Sequence, residues 1–507
     1  MKRGIIHLCR IGILFLDREF EHDVYELIKA FYPEAEIHTS YSEDDEEYDI
    51  CFRIGREDDS YLIRYKSKEH NGTASAAVIE GHSRENNTDA LISCKTTLRK
   101  QNKDVLKYSL YQVLHKLTGR TLPWGNLTGI RPAKLAMGMI ESGMKNTEAA
   151  KVMRDSYLVS PQKAALAITI ANREREILKN IDYENGYSLY VGIPFCPSIC
   201  LYCSFSSYPL KQWQKKVDDY LDALCKEIRE VSAMMRGRKL DTIYIGGGTP
   251  TTLEPDQLRR LLTALGEAFT YEGLEEFTIE AGRPDSITRE KLEAIQEFPV
   301  SRISVNPQTM NQQTLDIIGR RHTVEQTREA FLLARELGYN NINMDLIVGL
   351  PGEDISMVKN TLGQIRSLDP DSLTVHSLAV KRAARLNMFK DQYQEMTFEN
   401  NQEIMDMTMR AAYEMEMGPY YLYRQKNMKG NFENVGYAKV DKAGIYNILI
   451  MEEKQPIIAL GAGGSSKLVF DHGQRIERVE NVKDVTNYIT RIDEMIERKR
   501  TGITAWL

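Results

Sequence analysis

Cys196, Cys200 and Cys203 stand within eight residues, in the stretch Tyr190-Val-Gly-Ile-Pro-Phe-Cys196-Pro-Ser-Ile-Cys200-Leu-Tyr-Cys203. Three thiolates so closely spaced can face one metal centre from a single loop. Thiolates are soft ligands and suit iron–sulfur clusters, zinc or Cu(I). Structural zinc takes four protein ligands, and the next cysteine, Cys225, falls inside an expected helix. A cubane iron–sulfur cluster held by three thiolates leaves one iron open to a small molecule. That reading fits the spacing best; zinc and three unrelated buried thiols are the alternatives.

Other residues gather after later strands. Gly246-Gly-Gly-Thr-Pro-Thr251 permits close backbone approach to a ligand. It lacks the Gly-Lys-Ser/Thr of a phosphate loop. Alone it reads as a plain strand-to-helix turn; next to a three-cysteine loop it becomes a cradle for a metal-bound molecule. Glu280, Gln308, Arg320 and Asp345 sit in or after further strands. Ionisable groups there need partners if buried: Arg302, backbone N–H groups, or a ligand. His376 reads first as a hydrogen-bonded core histidine. Arg424, Lys426 and Lys429, beside Tyr420, Tyr421 and Tyr423, could clamp carboxylates but read rather as a solvated strand edge.

The elements that must position these groups follow a rhythm. From residue 184, strands at Leu189–Ile193, Thr242–Ile245, Glu276–Ile279, Arg302–Val305, Asn341–Val348 and Ser372–Leu378 alternate with amphipathic helices. One helix runs over Gln212–Met235. Another opens with Thr323-x-x-Gln326, a capping box, and closes at Gly338. Six such repeats imply parallel strands with crossover helices, with the chemistry at the C-terminal ends of the strands. The expected class is α/β: a partial (β/α)6 TIM-like barrel over residues 184–390. Before it come an N-terminal α+β domain (1–122) and a helical linker (123–183). After it comes a C-terminal accessory domain (391–507), turn-rich between Tyr420 and Asn447, closing one end of the barrel.

The 507 residues include 66 basic and 72 acidic side chains, a net charge of −6, and seven cysteines. This balance gives no push towards nucleic acid or anionic membrane. Clustered cysteines fit metal binding in a reducing cytoplasm rather than a disulfide framework. The apolar run Gly4–Leu16 imitates a short signal peptide, but His7, Cys9 and Arg10 interrupt it and no small-residue cleavage site follows; it reads as a buried strand. No membrane span is expected.

The cysteine motif, with Tyr202 before its last cysteine, resembles the radical S-adenosylmethionine (SAM) superfamily. The motifs Gly-Gly-Gly-Thr-Pro-Thr, Ile-Glu280-Ala, Pro-Gln308, Ile-Gly-Arg320 and Met-Asp345-Leu-Ile-Val-Gly-Leu-Pro351 are similar to those of the oxygen-independent coproporphyrinogen III dehydrogenase family. The N-terminal domain, Thr128-Gly-Ile-Arg-Pro and Tyr423-Arg-Gln-Lys-Asn-Met428 resemble its HemZ branch. The resemblance implies a 4Fe–4S cluster on Cys196, Cys200 and Cys203. It places Tyr190, Tyr202, Gly247, Gly248, Thr249 and Glu280 around S-adenosyl-L-methionine, and Gln308, Arg320, Asp345 and Ala379 around a second molecule of it. A 5′-deoxyadenosyl radical would then take hydrogen from a porphyrinogen propionate. Loss of CO₂ and one electron leaves a vinyl group, and two rounds turn coproporphyrinogen III into protoporphyrinogen IX. A reductase such as flavodoxin or ferredoxin is the implied partner. A haem-binding delivery protein, or a radical enzyme acting on haem itself, is the alternative. The chain departs from the dehydrogenase pattern at Phe205, where a fourth cysteine stands, and at Gly192, where a histidine stands. The His-Asn-x-x-Tyr-Trp motif of the haem-chaperone branch has only Glu433-Asn-Val-Gly-Tyr437-Ala438 as its counterpart.

Overall fold

Alternating apolar residues need a covering layer, and the chain supplies one for each of two sheets. A computed structural model of the protein describes residues 9–43, 46–77, 88–129, 131–205, 207–379, 384–388, 399–425 and 432–507. The chain divides into two compact units, Met1–Ile168 and Thr169–Leu507. Residues 4–8 of the signal-like run, and Lys426, Met428 and Lys429, lie outside the described residues.

The first unit holds a five-stranded sheet in the order Glu36–Ser40, Arg10–Phe15, Ile50–Glu57, Ser60–Ser67, Asn71–Ala77. The first three strands are parallel and the last two add antiparallel. The helices Glu21–Phe31 and Thr88–Thr118 bury Leu27, Phe31, Leu110 and Leu114 in one core with Ile13, Phe52 and Ile63. The remainder of the apolar run is thus the buried strand Arg10–Phe15. The unit also contains helices Pro132–Glu141 and Asn146–Asp155.

In the second unit, Gly186–Ile193, Lys239–Gly247, Glu276–Gly282, Arg302–Val305, Ile342–Val348 and Ser372–Ser377 lie side by side in chain order, all parallel. The order never reverses, unlike that of a doubly wound sheet. Residues 391–507, read from sequence as an accessory domain, contribute strands to both edges of this sheet. Asn434–Ala438 pairs antiparallel with the sixth strand, and Gly418–Tyr423 follows it. Ile457–Leu460 runs parallel to the first strand, and Ser465–Phe470 and Arg475–Glu480 continue from it. On either side of residues 426–431, the described parts of Tyr420–Asn447 are therefore more regular than their turn residues suggest. Gly436 is the reason: a Cβ there would lie 1.9 Å from the Tyr421 ring, so only glycine lets that ring cross the strand.

The helices follow their sequence stripes. Val217–Met234 buries Tyr220, Leu221, Leu224, Ile228 and Val231. The expected single helix from Gln212 is broken into Leu210–Trp213, a 3₁₀ turn and this helix. Asp218 and Asp219 occupy the first turn of the long piece, where carboxylates favour a helix start. The Thr323–Gln326 capping box forms, with reciprocal bonds of 3.1 and 2.8 Å. A buried pair, Lys499 Nζ to Glu227 Oε1 at 2.7 Å, ties the last helix, Ile492–Trp506, to Val217–Met234. Among the described residues no helix is long and apolar enough to cross a membrane.

Candidate active site

The cysteine loop leaves the first parallel strand at Ile193 and is closed at its base by a short parallel pairing of Phe195–Cys196 with Tyr208–Pro209. Its middle is anchored by Leu201. That side chain is buried with Leu315, Ile318, Leu350 and Leu378, and its N–H donates to the Ile318 carbonyl at 2.9 Å. Leu201 thus fixes the backbone between Cys200 and Cys203. All three cysteines line one cavity of about 380 Å³.

The triple-glycine turn forms the adjoining wall. The Gly248 N–H donates to the Ile193 carbonyl at 2.7 Å and the Thr249 N–H to the Phe195 carbonyl at 2.8 Å. A Cβ on Gly248 would lie 2.5 Å from the Phe195 oxygen, and Gly247 has φ +107°; both positions therefore require glycine. The Thr249 hydroxyl reaches Cys196 Sγ at 3.6 Å. Through these bonds the glycine turn and the cysteine loop are packed against each other.

Of the residues expected around the cofactors, Tyr202, Gly247, Gly248, Thr249, Glu280, Gln308, Arg320, Asp345 and Ala379 line this cavity. Tyr190 stands behind it, stacked with Tyr244 and Tyr446 at centroid distances of 6.3 Å each. Glu280 and Asp345 do not use Arg302 as a hydrogen-bond partner, contrary to one sequence expectation. Glu280 accepts from the Tyr244 hydroxyl. Asp345 accepts from Asn343 at 2.7 Å and faces His376 Nε2 at 3.9 Å. Arg302 instead bonds Ser372, Asn341 and the Lys442 carbonyl. Burial, with the Asp345 charge nearby, pushes the Glu280 carboxyl up to about 7 against the Tyr244 bond. Burial also opposes ionisation of Asp345, but His376 and Asn343 hold it below the usual carboxylate range. His376 lines the cavity rather than filling core, with Nδ1 3.2 Å from the Tyr423 hydroxyl. Arg424 is buried, not part of a solvated edge; burial lowers it to about 10.

Sequence reasoning passed over Ser304, Asn306 and Arg283, which also line the cavity. Ser304 Oγ, Asn306 Oδ1, Gln308 Oε1 and Arg320 Nε are buried and have no hydrogen-bond partner within the protein. Buried polar atoms are normally paired, so this wall is built for a polar ligand. Gln308 carries φ +68°, a strained backbone of the kind that clusters at functional sites. The signal for Arg283 was its place directly after the third strand, where parallel-strand folds put function.

The radical SAM superfamily model matches residues 190–365. The oxygen-independent coproporphyrinogen-III oxidase-like protein HemZ of Bacillus subtilis is 39% identical over 404 residues, covering 79% of this chain and 81% of that protein. The chain belongs to the radical SAM superfamily, in the HemZ-like branch of the oxygen-independent coproporphyrinogen III dehydrogenase family. Two other relatives of this radical SAM protein bracket it. The oxygen-independent coproporphyrinogen III oxidase of Salmonella typhimurium is 27% identical over 63% of this chain and 68% of its own. The heme chaperone HemW of Bacillus subtilis is 38% identical over 38% of this chain and 51% of its own. The solved coproporphyrinogen III oxidase HemN of Escherichia coli, a radical SAM enzyme, superposes with a TM-score of 0.51 at 24% identity, over 64% of this chain and 72% of that one, and shares the fold.

Superfamily membership implies a 4Fe–4S cluster and S-adenosyl-L-methionine, and the donor set fits. Burial raises Cys196 to about 11, and neighbouring Cys200 and Cys203 add to it. Burial likewise raises Cys203. Thiols that oppose one another's ionisation become stable thiolates once a cationic metal group stands among them. Among the described residues, no three His, Cys, Asp or Glu side chains converge on a point for a single metal ion. A cluster of several atoms keeps its thiolates further apart than one ion does.

Proposed function

We propose that this protein is a cytoplasmic oxidoreductase that decarboxylates two propionates of coproporphyrinogen III to vinyl groups, yielding protoporphyrinogen IX. The observation that carries the reading is one cavity lined together by three thiols, a glycine cradle and four unpartnered polar atoms. In this reading Cys196, Cys200 and Cys203 hold the cluster. When bound, cluster and S-adenosyl-L-methionine supply a one-electron cleavage that delivers a carbon radical. Tyr202, Gly247, Gly248 and Thr249 seat the first cofactor, with Tyr190 supporting them. Glu280, ionised above about 7, receives its ammonium. Gln308, Arg320, Asp345 and Ala379 hold a second cofactor molecule. Tyr244, Tyr421 and Tyr423 wall the cavity and keep water from the reacting carbon. A flavodoxin- or ferredoxin-class reductase supplies the electron.

The test is anaerobic reconstitution with a reductant, S-adenosyl-L-methionine and coproporphyrinogen III, followed by mass analysis. Methionine, 5′-deoxyadenosine and a doubly decarboxylated porphyrinogen are expected. Cofactor cleavage with unchanged coproporphyrinogen refutes the substrate. Phe205 favours one second reading, haem delivery: it is 71% exposed at the cavity rim, where the dehydrogenase pattern has a fourth cysteine. Stoichiometric haem binding without turnover would support that reading, and a change of the haem itself would make haem the substrate.

A further inference from the structure

Arg283 is 4% exposed and lies directly after the third parallel strand. Its guanidinium has three engagements. Nε and Nη2 bond the Asp285 carboxylate at 2.9 and 2.7 Å. Nη1 bonds Ser198 through the hydroxyl at 2.8 Å and the carbonyl at 3.1 Å. The same Nη1 reaches Cys200 Sγ at 3.9 Å. Behind Asp285 stands His322, fully buried, with Nδ1 3.9 Å from Asp285 Oδ1. Burial and the Arg320 charge lower its pKa to about 3, so it adds no charge at neutral pH. The second guanidinium nearby, Arg320, adds positive charge near the same thiols but directs its bonds to the Tyr202 hydroxyl at 3.1 Å and the Asn306 carbonyl at 2.8 Å. Of these two guanidiniums, Arg283 is thus the one with a bond aimed at a cysteine sulfur.

We propose that Arg283 and Asp285 act together to set the electrostatic potential at Cys200, and thereby how readily the cluster held there accepts its electron. The inference rests on the cluster reading above. Cluster potentials follow net charge, hydrogen bonds to sulfur and solvent exposure. In a buried site a charge acts through a low effective dielectric with little salt screening. A positive group against the sulfur stabilises the reduced state, which carries one more negative charge. The carboxylate on the guanidinium's far side offsets part of that gain. The step concerned is a one-electron reduction by an external one-electron carrier: no bond forms or breaks, and Arg283 keeps its proton.

The two residues make opposite predictions. The experiment is a potentiometric titration of the anaerobically reconstituted full chain, followed by the electron paramagnetic resonance of the reduced cluster. Arg283→Gln should make reduction about tenfold less favourable, a fall of about 59 mV for one electron. Asp285→Asn should raise the potential. Arg283→Lys should stay near the parent. A role confined to bracing Ser198 would alter iron uptake but would not move the potential with the sign of the charge. The proposal is overturned if Arg283→Gln and Asp285→Asn shift together, if neither shifts, or if Arg283→Lys falls as far as Arg283→Gln. Should Arg283→Gln take up no iron, Asp285→Asn decides, and an unraised potential overturns the proposal. If the folded parent chain assembles no cluster, the cluster reading itself fails, which is a separate and visible outcome.

Discussion

Replacing Gly248 by alanine tests whether the glycine turn and the cysteine loop are one unit. The added Cβ would meet Phe195 O at 2.5 Å, Ile193 O at 2.9 Å and Pro194 C at 2.9 Å. These are backbone atoms of the strand that leads into Cys196, so no side-chain rotation relieves the clash. The turn must lift away. That loosens two hydrogen bonds, Gly248 N to Ile193 O and Thr249 N to Phe195 O, each worth about 1 kcal/mol net. Overpacking adds about 1–3 kcal/mol. The expected loss is about 3 kcal/mol in denaturant unfolding, with iron uptake reduced because Thr249 leaves Cys196. Gly363→Ala is the control. That glycine lies within helix Ile355–Leu368 with nothing within 4 Å of its Cβ position. It should gain about 1 kcal/mol, since glycine is a poor helix residue. If Gly248→Ala unfolds like the parent and binds iron normally, the packing argument is wrong.

Gln308→Gly should raise stability modestly, because φ +68° strains a residue with a Cβ by about 1–3 kcal/mol while added chain entropy returns up to about 1 kcal/mol; calorimetric ligand titration should show weaker cofactor binding in the same variant. Glu280 sits above its usual 4.5, at about 7, chiefly through burial, so the folded state binds more protons between those values. Its contribution to stability therefore declines as pH rises through that window, and Glu280→Gln should flatten the decline in the denaturation midpoint. Affinity for the cofactor's ammonium should rise over the same interval in the parent only. Lys499→Met leaves Glu227 buried and without its cation, although Asn481 and Tyr488 still donate to it. Breaking such a pair costs about 3–5 kcal/mol, visible in thermal unfolding.

Local pattern carried much of the fold. Each of the six parallel strands carries apolar residues at alternating positions, and helices such as Val324–Glu336 declare themselves through both a stripe and a capping box. The strands that escaped notice have weak local signals. Asn71–Ala77 is built of small residues, and Asn434–Ala438 contains the glycine that the Tyr421 ring requires. Their pairing is decided by a neighbour distant in sequence, which no window of residues contains. The site divides in the same way. The cysteines and the glycine turn are legible because chemistry fixes their spacing within one loop. The partners of Glu280 and Asp345 were not, because Tyr244 and His376 come from other strands and meet them only when the sheet forms.

That division bears on how this branch can keep radical chemistry while changing its substrate. The half of the cavity readable from contiguous motifs is the half whose backbone cannot move: glycine against carbonyl, and Leu201 locked in its cluster. The rest of the wall is assembled from Ser304 in the fourth strand, Asn306 and Gln308 just after it and Arg320 beyond the next helix, and it carries the strain at Gln308 and the unpaired atoms at Ser304, Asn306 and Arg320. A well-packed fold tolerates such violations where a ligand resolves them. Substitutions at Ser304 and Asn306, which the proposed reading assigns to neither cofactor molecule, should therefore alter substrate acceptance while leaving cofactor cleavage intact. Substitutions on the glycine wall should abolish both. Comparing uncoupled 5′-deoxyadenosine formation in Asn306→Ala and Gly248→Ala separates the two walls, and equal loss in both variants would mean that the cavity works as one indivisible site.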